Sequence, residues 1–377
     1  MTGAVTGAVA YFGTYDPDHP RNAVLLAGLR ERGVTVHEFR APLPALDAAA
    51  MATGAGAARV AGGVLAAHAR LAAQHRRRLA ADAVIVGYPG HLVVPFARVV
   101  AGVRRARLVF DPLVSLGDTF SGDRGLVAER SGLGAAFAVA DRVAFGCADL
   151  VLADTGEQAV FYGSRFGVPR ERLAVVPVGA LPEPQATGAA RPLSAGEPLV
   201  VFQYGKWSPL HGADTVLAAA ARLRDRPVRF VLAGEGQLSA TLRAEAARLA
   251  LENVEWVGMQ SPAQLRARTL AADVCLGAFG TSAKARRVVP TKVHEALACG
   301  RPVVTGDSAA ARELLQDGVD ALLVSPGDGR ALAATVERLL DERLRGALGV
   351  AALALYRRAL TPAAVAGRLL AALEQRP

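Results

Sequence analysis

Residues 289–304 read VPTKVHEALACGRPVV, a loop, a short helix and a buried strand in succession. Pro290 is tolerated just before or inside a first helical turn, Thr291 can serve as the N-cap, and Gly300 stands past the last periodic residue as a C-terminal stop. The expected helix therefore starts near Thr291. Open backbone N–H groups there, with Lys292 in the first turn and Glu295 one turn on, suit an anionic phosphate beside a hydroxyl.

The apolar run that closes this stretch is one of a series. Residues 199–203, 229–233, 254–257, 274–276, 302–305 and 321–324 read as strands separated by helical stretches. The first half repeats the alternation with candidate strands at 8–12, 35–39, 83–86, 108–110, 150–153 and 174–178. Strands that are apolar almost throughout are buried on both faces, as in parallel sheets covered by helices. Between the halves, LPEPQATGAARPLSAGEP at 181–198 carries four prolines and no usable periodicity, and reads as a linker. The fold class is thus α/β, two doubly wound Rossmann-like domains facing a central cleft. Their expected extents are 1–181 and 199–355, joined by a linker at 182–198. The tail at 356–377 is expected to place an amphipathic helix, 361–374, back on the first domain. Ligands of such sheets bind beyond the carboxyl ends of the strands, so the loops there are the places to search.

Composition limits the function. A chain of 377 residues with 52% hydrophobic content builds two ordinary cores. The three cysteines, Cys147, Cys275 and Cys299, form no metal-binding spacing and read as free thiols of a reducing compartment. No basic leader precedes the first strand, and no apolar run is long enough to span a bilayer, so a cytoplasmic, soluble protein is expected. A net charge of +9 favours anionic partners. With aromatics at 5%, the stacking platforms of nucleic-acid binders are missing, and no nucleic-acid partner is expected. Only three of the 43 basic residues are lysine: Lys206, Lys284 and Lys292. Where arginine fills nearly every basic position, a lysine marks a place for a compact ammonium.

Candidate chemistry follows the strand ends. Gly13 and Thr14 in YFGTYDPDHPR form a glycine turn where backbone can approach a phosphate, or a plain strand-to-helix turn. His91 in GYPGHLVVPFAR is expected at the mouth of the cleft, able to donate to a hydroxyl or phosphate, or else to cap the next helix. Asp111, Asp118 and Arg124 lie in the long loop FDPLVSLGDTFSGDR and are candidate acceptor contacts, with helix capping as the alternative for the aspartates. Lys206 and His211 in FQYGKWSPLHGADTV stand before a helix and read as a pyrophosphate clamp. Gly234 and Gly236 in LAGEG give a close-approach turn.

The ordered set YGKWSPLHG, LAGEG, VEWVG and ALACGRPVVTGD resembles the retaining nucleotide-sugar glycosyltransferases of GT-B fold, family 4, over nearly the whole second half. The resemblance implies that Lys206, Lys292 and the backbone at Pro290 and Thr291 cradle a diphosphate. It implies that Glu295 accepts ribose hydroxyls, that the loops at 234–236 and 257–259, with Met259, hold the nucleobase, and that His91 lies near the reacting sugar. Two positions depart from the family pattern: His211 stands where a second phosphate lysine is common, and Arg287 where the first glutamate of a Glu, seven residues, Glu motif is expected. The latter implies an unusual donor or a protein that binds nucleotide without sugar transfer.

The resemblance implies a hexosyltransferase that uses a UDP- or GDP-linked sugar as co-substrate, without metal or other cofactor. The acceptor, a small metabolite, saccharide or lipid-linked molecule, would bind the first domain. A rival reading is a basic membrane-surface protein, drawn from AAHARLAAQHRRRL at 66–79; the two merge if the enzyme contacts anionic membrane peripherally. A nicotinamide dehydrogenase is disfavoured because no GxGxxG follows the first strand.

Overall fold

Each apolar run marked in the sequence forms a strand in the computed structural model, which describes residues 7–43, 53–75, 80–194 and 196–375. The chain divides into two units, Met1–Val178 with Pro362–Pro377, and Gly179–Thr361. In the first, strands β1 (Ala8–Gly13), β2 (Thr35–Arg40), β3 (Ala83–Val86), β4 (Arg107–Phe110), β5 (Leu150–Ala153) and β6 (Leu173–Val175) alternate with helices α1 (Pro20–Glu31), α2 (Gly54–His75), α3 (Val94–Arg104), α4 (Gly132–Cys147) and α5 (Gly156–Phe166). In the second, β7 (Leu199–Tyr204), β8 (Val228–Ala233), β9 (Val254–Gly258), β10 (Val274–Leu276), β11 (Val303–Gly306) and β12 (Leu322–Val324) alternate with α6 (Ala213–Arg222), α7 (Ser239–Arg248), α8 (Pro262–Ala271), α9 (Thr291–Ala298) and α10 (Ala309–Leu314). Helices α11 (Gly329–Arg338) and α12 (Glu342–Ala359) complete it, and α13 (Pro362–Glu374) packs on α1 of the first unit.

Both sheets are parallel and six-stranded, ordered β2-β1-β3-β4-β5-β6 and β12-β11-β10-β7-β8-β9. The order reverses between β1 and β3 in one and between β7 and β10 in the other. At such a point the loops leave in opposite directions and open a crevice above the strand ends. The cores follow from the apolar strands: Val84, Val86, Leu108 and Phe110 are fully buried in the first unit, and Val201, Phe230, Leu232 and Val304 in the second.

The stretch expected as a linker contains neither helix nor strand over its described residues, yet it is fastened to the second unit. Arg191 pairs with Asp273 at 2.9 Å and also bonds Glu197, and buried Arg345 donates to the Arg191 carbonyl at 3.0 Å. The boundary between units falls at Val178, just after the last strand of the first sheet. Of the basic segment at 66–79, residues 76–79 lie outside the described residues, and the rest continues α2. No helix of the described residues is long and apolar enough to cross a membrane.

Candidate functional site

The helix opened by Thr291 has Pro290, not Thr291, at its N-cap; Pro290 lies in the extended region and supplies no capping side chain. Thr291 could not cap because its own backbone is already helical, whereas an N-cap residue lies outside the helical region. Two neighbours start the same way. Helix α6 is entered through Gly212 and α7 through Leu238, both without a side-chain cap. By contrast, α8, α10, α11 and α12 are capped by Ser261, Ser308, Asp328 and Asp341. The open starts of α6 and α9 follow β7 and β10, the two strands at the reversal of the sheet, and that of α7 follows β8 beside them. Helix N-termini left open above a switch point are a ready anion site.

Glycines bring these loops into contact. A Cβ at Gly234, whose φ is +121°, would lie 2.0 Å from the Gly205 carbonyl oxygen, and one at Gly236 would lie 2.6 Å from the Trp207 nitrogen. Trp207 is fully buried and donates its indole N–H to the Gly234 carbonyl at 2.9 Å, fixing the β7 and β8 loops together. Gln203, buried, bonds the carbonyls of Gly277 and His211 and so ties the β7 loop to the end of β10.

Into this frame project the charged groups. Lys292 is 6% exposed and, among the described residues, its ammonium has no hydrogen-bond partner. Burial pulls its pKa down to about 7. Its Nζ lies 5.6 Å from the Tyr204 ring centre. A Cβ at Gly205 would stand 3.1 Å from that Nζ and 2.4 Å from His211 Nε2, so both nitrogens overhang the same glycine. The Ser208 N–H points at His211 Nδ1 at 3.4 Å; with Nδ1 accepting, the proton sits on Nε2, directed to the Gly205 side. Glu295, partly buried, has its carboxyl pushed up to about 7 by burial and accepts the Tyr204 hydroxyl bond. Lys206 is exposed beside Gly205, Arg287 is half-buried on the loop before the helix, and Met259 is 63% exposed after β9. Lys206, His211, Gly234, Gly236, Pro290, Thr291, Lys292 and Glu295 thus lie on the loops and helix that meet at β7, β8 and β10.

The first unit treats its candidates differently. Gly13 ends β1 with φ +122°, and the Thr14 hydroxyl is spent on the Pro89 carbonyl at 2.6 Å, so it stabilises the turn and offers no free donor. His91 does not project outward. It is 4% exposed, packs edge-on against Phe110, and bonds the Val114 carbonyl at 2.9 Å, with Asp141 at 3.6 Å. Burial holds its pKa below the ordinary value, against the pull of Asp141. The apolar residues after it, Val93 and Val94, enter the core and draw the histidine in with them. Asp111 is likewise no open handle: at 1% exposure it pairs with buried Arg21 at 2.7 Å, while Arg21 also binds the carbonyls of Val176 and Pro177. Asp118 lines a cavity of about 280 Å³ with Ser115, Ser121, Asp141, Arg142 and Arg165, and Arg124 stacks its guanidinium 5.7 Å from the Phe120 ring centre.

Tyr204, Gln203 and Arg21 were not singled out by sequence. Tyr204 carried one signal, a polar-tipped aromatic closing a strand just before the glycine turn.

Comparison with known proteins points to the second unit as the matched region. Residues 198–342 match the family described as glycosyl transferases group 1. A D-inositol 3-phosphate glycosyltransferase of Nocardia farcinica is 33% identical over 52% of this chain and 46% of its own length. A GDP-mannose-dependent alpha-(1-6)-phosphatidylinositol monomannoside mannosyltransferase of Mycolicibacterium smegmatis is 32% identical over 50% and 53%. The chain therefore spans about half the length of the curated relatives it matches. Over nearly the whole of both chains, the fold resembles Anabaena HepE, solved in complex with UDP and glucose, with TM-score 0.65, 18% identity and coverage of 99% and 100%. Sucrose-phosphate synthase from Thermosynechococcus elongatus gives 0.67, 17% identity and 97% of both chains. The second unit thus carries the match to glycosyl transferases group 1, over residues 198–342, in a chain that has the GT-B fold of two Rossmann-like domains.

Proposed function

We propose that this chain transfers a hexose from a UDP- or GDP-linked donor to a hydroxyl or amine of an acceptor, with retention of configuration and without a metal ion. One observation carries the reading: the buried Lys292 ammonium at the open start of α9, which has no hydrogen-bond partner among the described residues. A buried ammonium without a counter-charge is costly, and a diphosphate offsets that cost on binding. The names of the curated relatives and the UDP in the HepE structure support a nucleotide-sugar donor.

In this reading Lys292, Lys206, His211 and the first-turn N–H groups of α9 stabilise the leaving diphosphate as the glycosidic bond breaks. Stabilisation of charge that develops in the transition state is commonly the largest catalytic contribution. The same cations take the place of a metal. Glu295 accepts ribose hydroxyls, and the loops at 234–236 and 257–259 cover the base. The acceptor's hydroxyl attacks from the face the diphosphate leaves, and a phosphate oxygen takes its proton. Asp118, Arg124 and the adjoining cavity supply acceptor contacts. Gly13, Thr14 and His91 shape the first unit and are not needed as donor ligands.

A second reading follows from Arg287, which stands where the family pattern has a glutamate. Without that carboxylate the protein could bind nucleotide and transfer nothing. Turnover of a panel of UDP- and GDP-sugars with polyol, saccharide and lipid-linked acceptors, with and without EDTA, tests both. Transfer insensitive to EDTA supports the main reading; nucleotide binding with no hydrolysis or transfer supports the second; no binding of any nucleotide overturns both. A peripheral membrane contact is a separate arm, tested by sedimentation with anionic vesicles and by alanine at Arg76, Arg77 and Arg78.

A further inference from the structure

Lys292 and Glu295 are three residues apart on α9, the spacing at which lysine and glutamate on one helix face meet. Both are withdrawn from water, and burial is the sole cause of the pKa shift in each. Opposite charges so placed in a poorly solvated site attract strongly. They do not pair. The Glu295 carboxylate turns to the Tyr204 hydroxyl, and the Lys292 ammonium lies off the face of the Tyr204 ring, over Gly205 and beside His211.

One side chain therefore meets both groups. The Tyr204 hydroxyl is a donor that the carboxylate accepts, and the negative face of its ring is a favourable neighbour for the ammonium. Tyr204 ends β7 immediately before Gly205, so the strand fixes its direction and the missing Cβ of Gly205 leaves space next to it. The ring also packs against Phe202, with centroids 5.7 Å apart, which limits its rotation. The other titratable groups beside the pair are His211, next to Lys292 over Gly205, and the Cys299 thiol, one turn on from Glu295; neither is a carboxylate that could take the lysine.

We infer that Tyr204 is a positioning residue that keeps Lys292 and Glu295 apart, so that the first remains free for a diphosphate and the second for a sugar hydroxyl. The inference rests on the nucleotide-sugar reading for what the two groups bind, and on geometry alone for their separation. Without the hydroxyl, Glu295 swings to Lys292, and the ion pair closes both halves of the site together.

The test uses the full chain and three probes, UDP, GDP and inorganic pyrophosphate, with binding measured calorimetrically for wild type, Tyr204→Phe, Glu295→Gln and Tyr204→Phe/Glu295→Gln. Thermal unfolding checks that each variant is folded. Tyr204→Phe is expected to weaken the nucleotide that wild type binds, and pyrophosphate, by about tenfold or more, the scale of one charge-assisted hydrogen bond. Adding Glu295→Gln should then restore pyrophosphate affinity to near the wild-type value, because a neutral amide cannot neutralise Lys292, while nucleotide affinity stays low. A purely structural tyrosine gives no such recovery. Unchanged pyrophosphate binding in Tyr204→Phe, or a loss that Glu295→Gln does not reverse, overturns the inference. Wild type that binds pyrophosphate but neither nucleotide overturns the nucleotide reading and leaves the separation to be judged by the pyrophosphate arm. Wild type that binds none of the three overturns both.

Discussion

The two units use one architecture and fill its strand ends in opposite ways. Above the first sheet, each candidate group has a protein partner, Arg21 with Asp111, the Thr14 hydroxyl with Pro89 and His91 with Val114, and only single atoms of these groups, such as His91 Nδ1 and Asp111 Oδ1, are left over. Above the second, among the described residues, the whole Lys292 ammonium is buried with no hydrogen-bond partner, at the start of a helix that lacks a capping side chain. Buried polar groups in native proteins are almost always bonded, so a paired group reads as scaffold and an unpaired one as a place kept for a ligand. The distinction separates candidates that residue type alone does not.

The comparison breaks most directly through its two buried cations. Asp111→Ala removes the partner of a fully buried arginine and is expected to cost about 3–5 kcal/mol of stability, as when one half of a buried pair is lost. Lys292→Met is expected to do the reverse: unfolding no easier than in wild type, because an uncompensated charge is gone, and turnover of the nucleotide sugar lower by about 10²–10³-fold. Chemical unfolding and kcat/KM of the two variants together read the contrast. Equal loss of stability in both would erase it.

Protonation sharpens it. In the free protein Lys292 titrates near 7, below the usual lysine range, and a bound diphosphate raises that value again. Binding at pH 8 should therefore take up protons, toward one per site, and at pH 6 almost none. Calorimetry in two buffers of different ionisation enthalpy measures the number directly. Uptake at pH 8 that persists in Lys292→Met would assign the proton elsewhere.

The sign is opposite for the neighbouring acid. Glu295 has its pKa raised from 4.5 to about 7, so its folded form holds a proton more tightly than the unfolded chain does. Its contribution to stability is present below pH 4.5 and is lost as the pH rises to about 7. Glu295→Gln removes that loss while keeping an acceptor for Tyr204. The variant should match wild type near pH 4.5 and be more stable above pH 7, by about 1–3 kcal/mol. Thermal unfolding across that range checks it, and a constant difference at all pH values would deny that the carboxyl is the cause.

Much of this was legible in the sequence. The buried parallel strands are nearly unbroken apolar runs, while the more exposed β2 and β9 were found by their place in the alternation; Gly205 followed by Lys206, and the glycines of LAGEG, marked the second unit's loops. What the sequence could not separate was His91 from Lys292. Both stand at the start of a helical segment after a strand, yet His91 is carried into the core by Val93 and Val94, while Lys292 is buried beside the β7 loop, distant in the chain. Asp111 was misread for a similar reason, since its partner Arg21 lies ninety residues away. Tyr204 was overlooked because its role depends on two residues of α9, contacts that no local pattern reveals. The reading of 182–198 as a linker noted its prolines and not that Arg191 would find Asp273.

The smallest expected effect tests the open helix start itself. Pro290 sits at the N-cap with extended backbone, φ −61° and ψ 142°, a conformation that an aspartate can adopt. Pro290→Asp would place a carboxylate on the first-turn N–H groups that the proposed diphosphate uses, and would complement the positive end of the helix. In the free protein this should add about 0.5–1 kcal/mol of stability, the ordinary value of a cap, less whatever is lost with proline's restriction of the unfolded chain. Affinity for pyrophosphate should fall, because the ligand must displace the new carboxylate and meets its charge. As a control, Ser261→Ala at the start of α8 removes a cap that accepts the Gln264 N–H at 3.3 Å; it should cost about 1 kcal/mol and leave anion binding untouched. If Pro290→Asp stabilises the fold and binds pyrophosphate as well as wild type does, the first-turn donors are not part of the anion site. Lys292 would then act with the β7 loop alone.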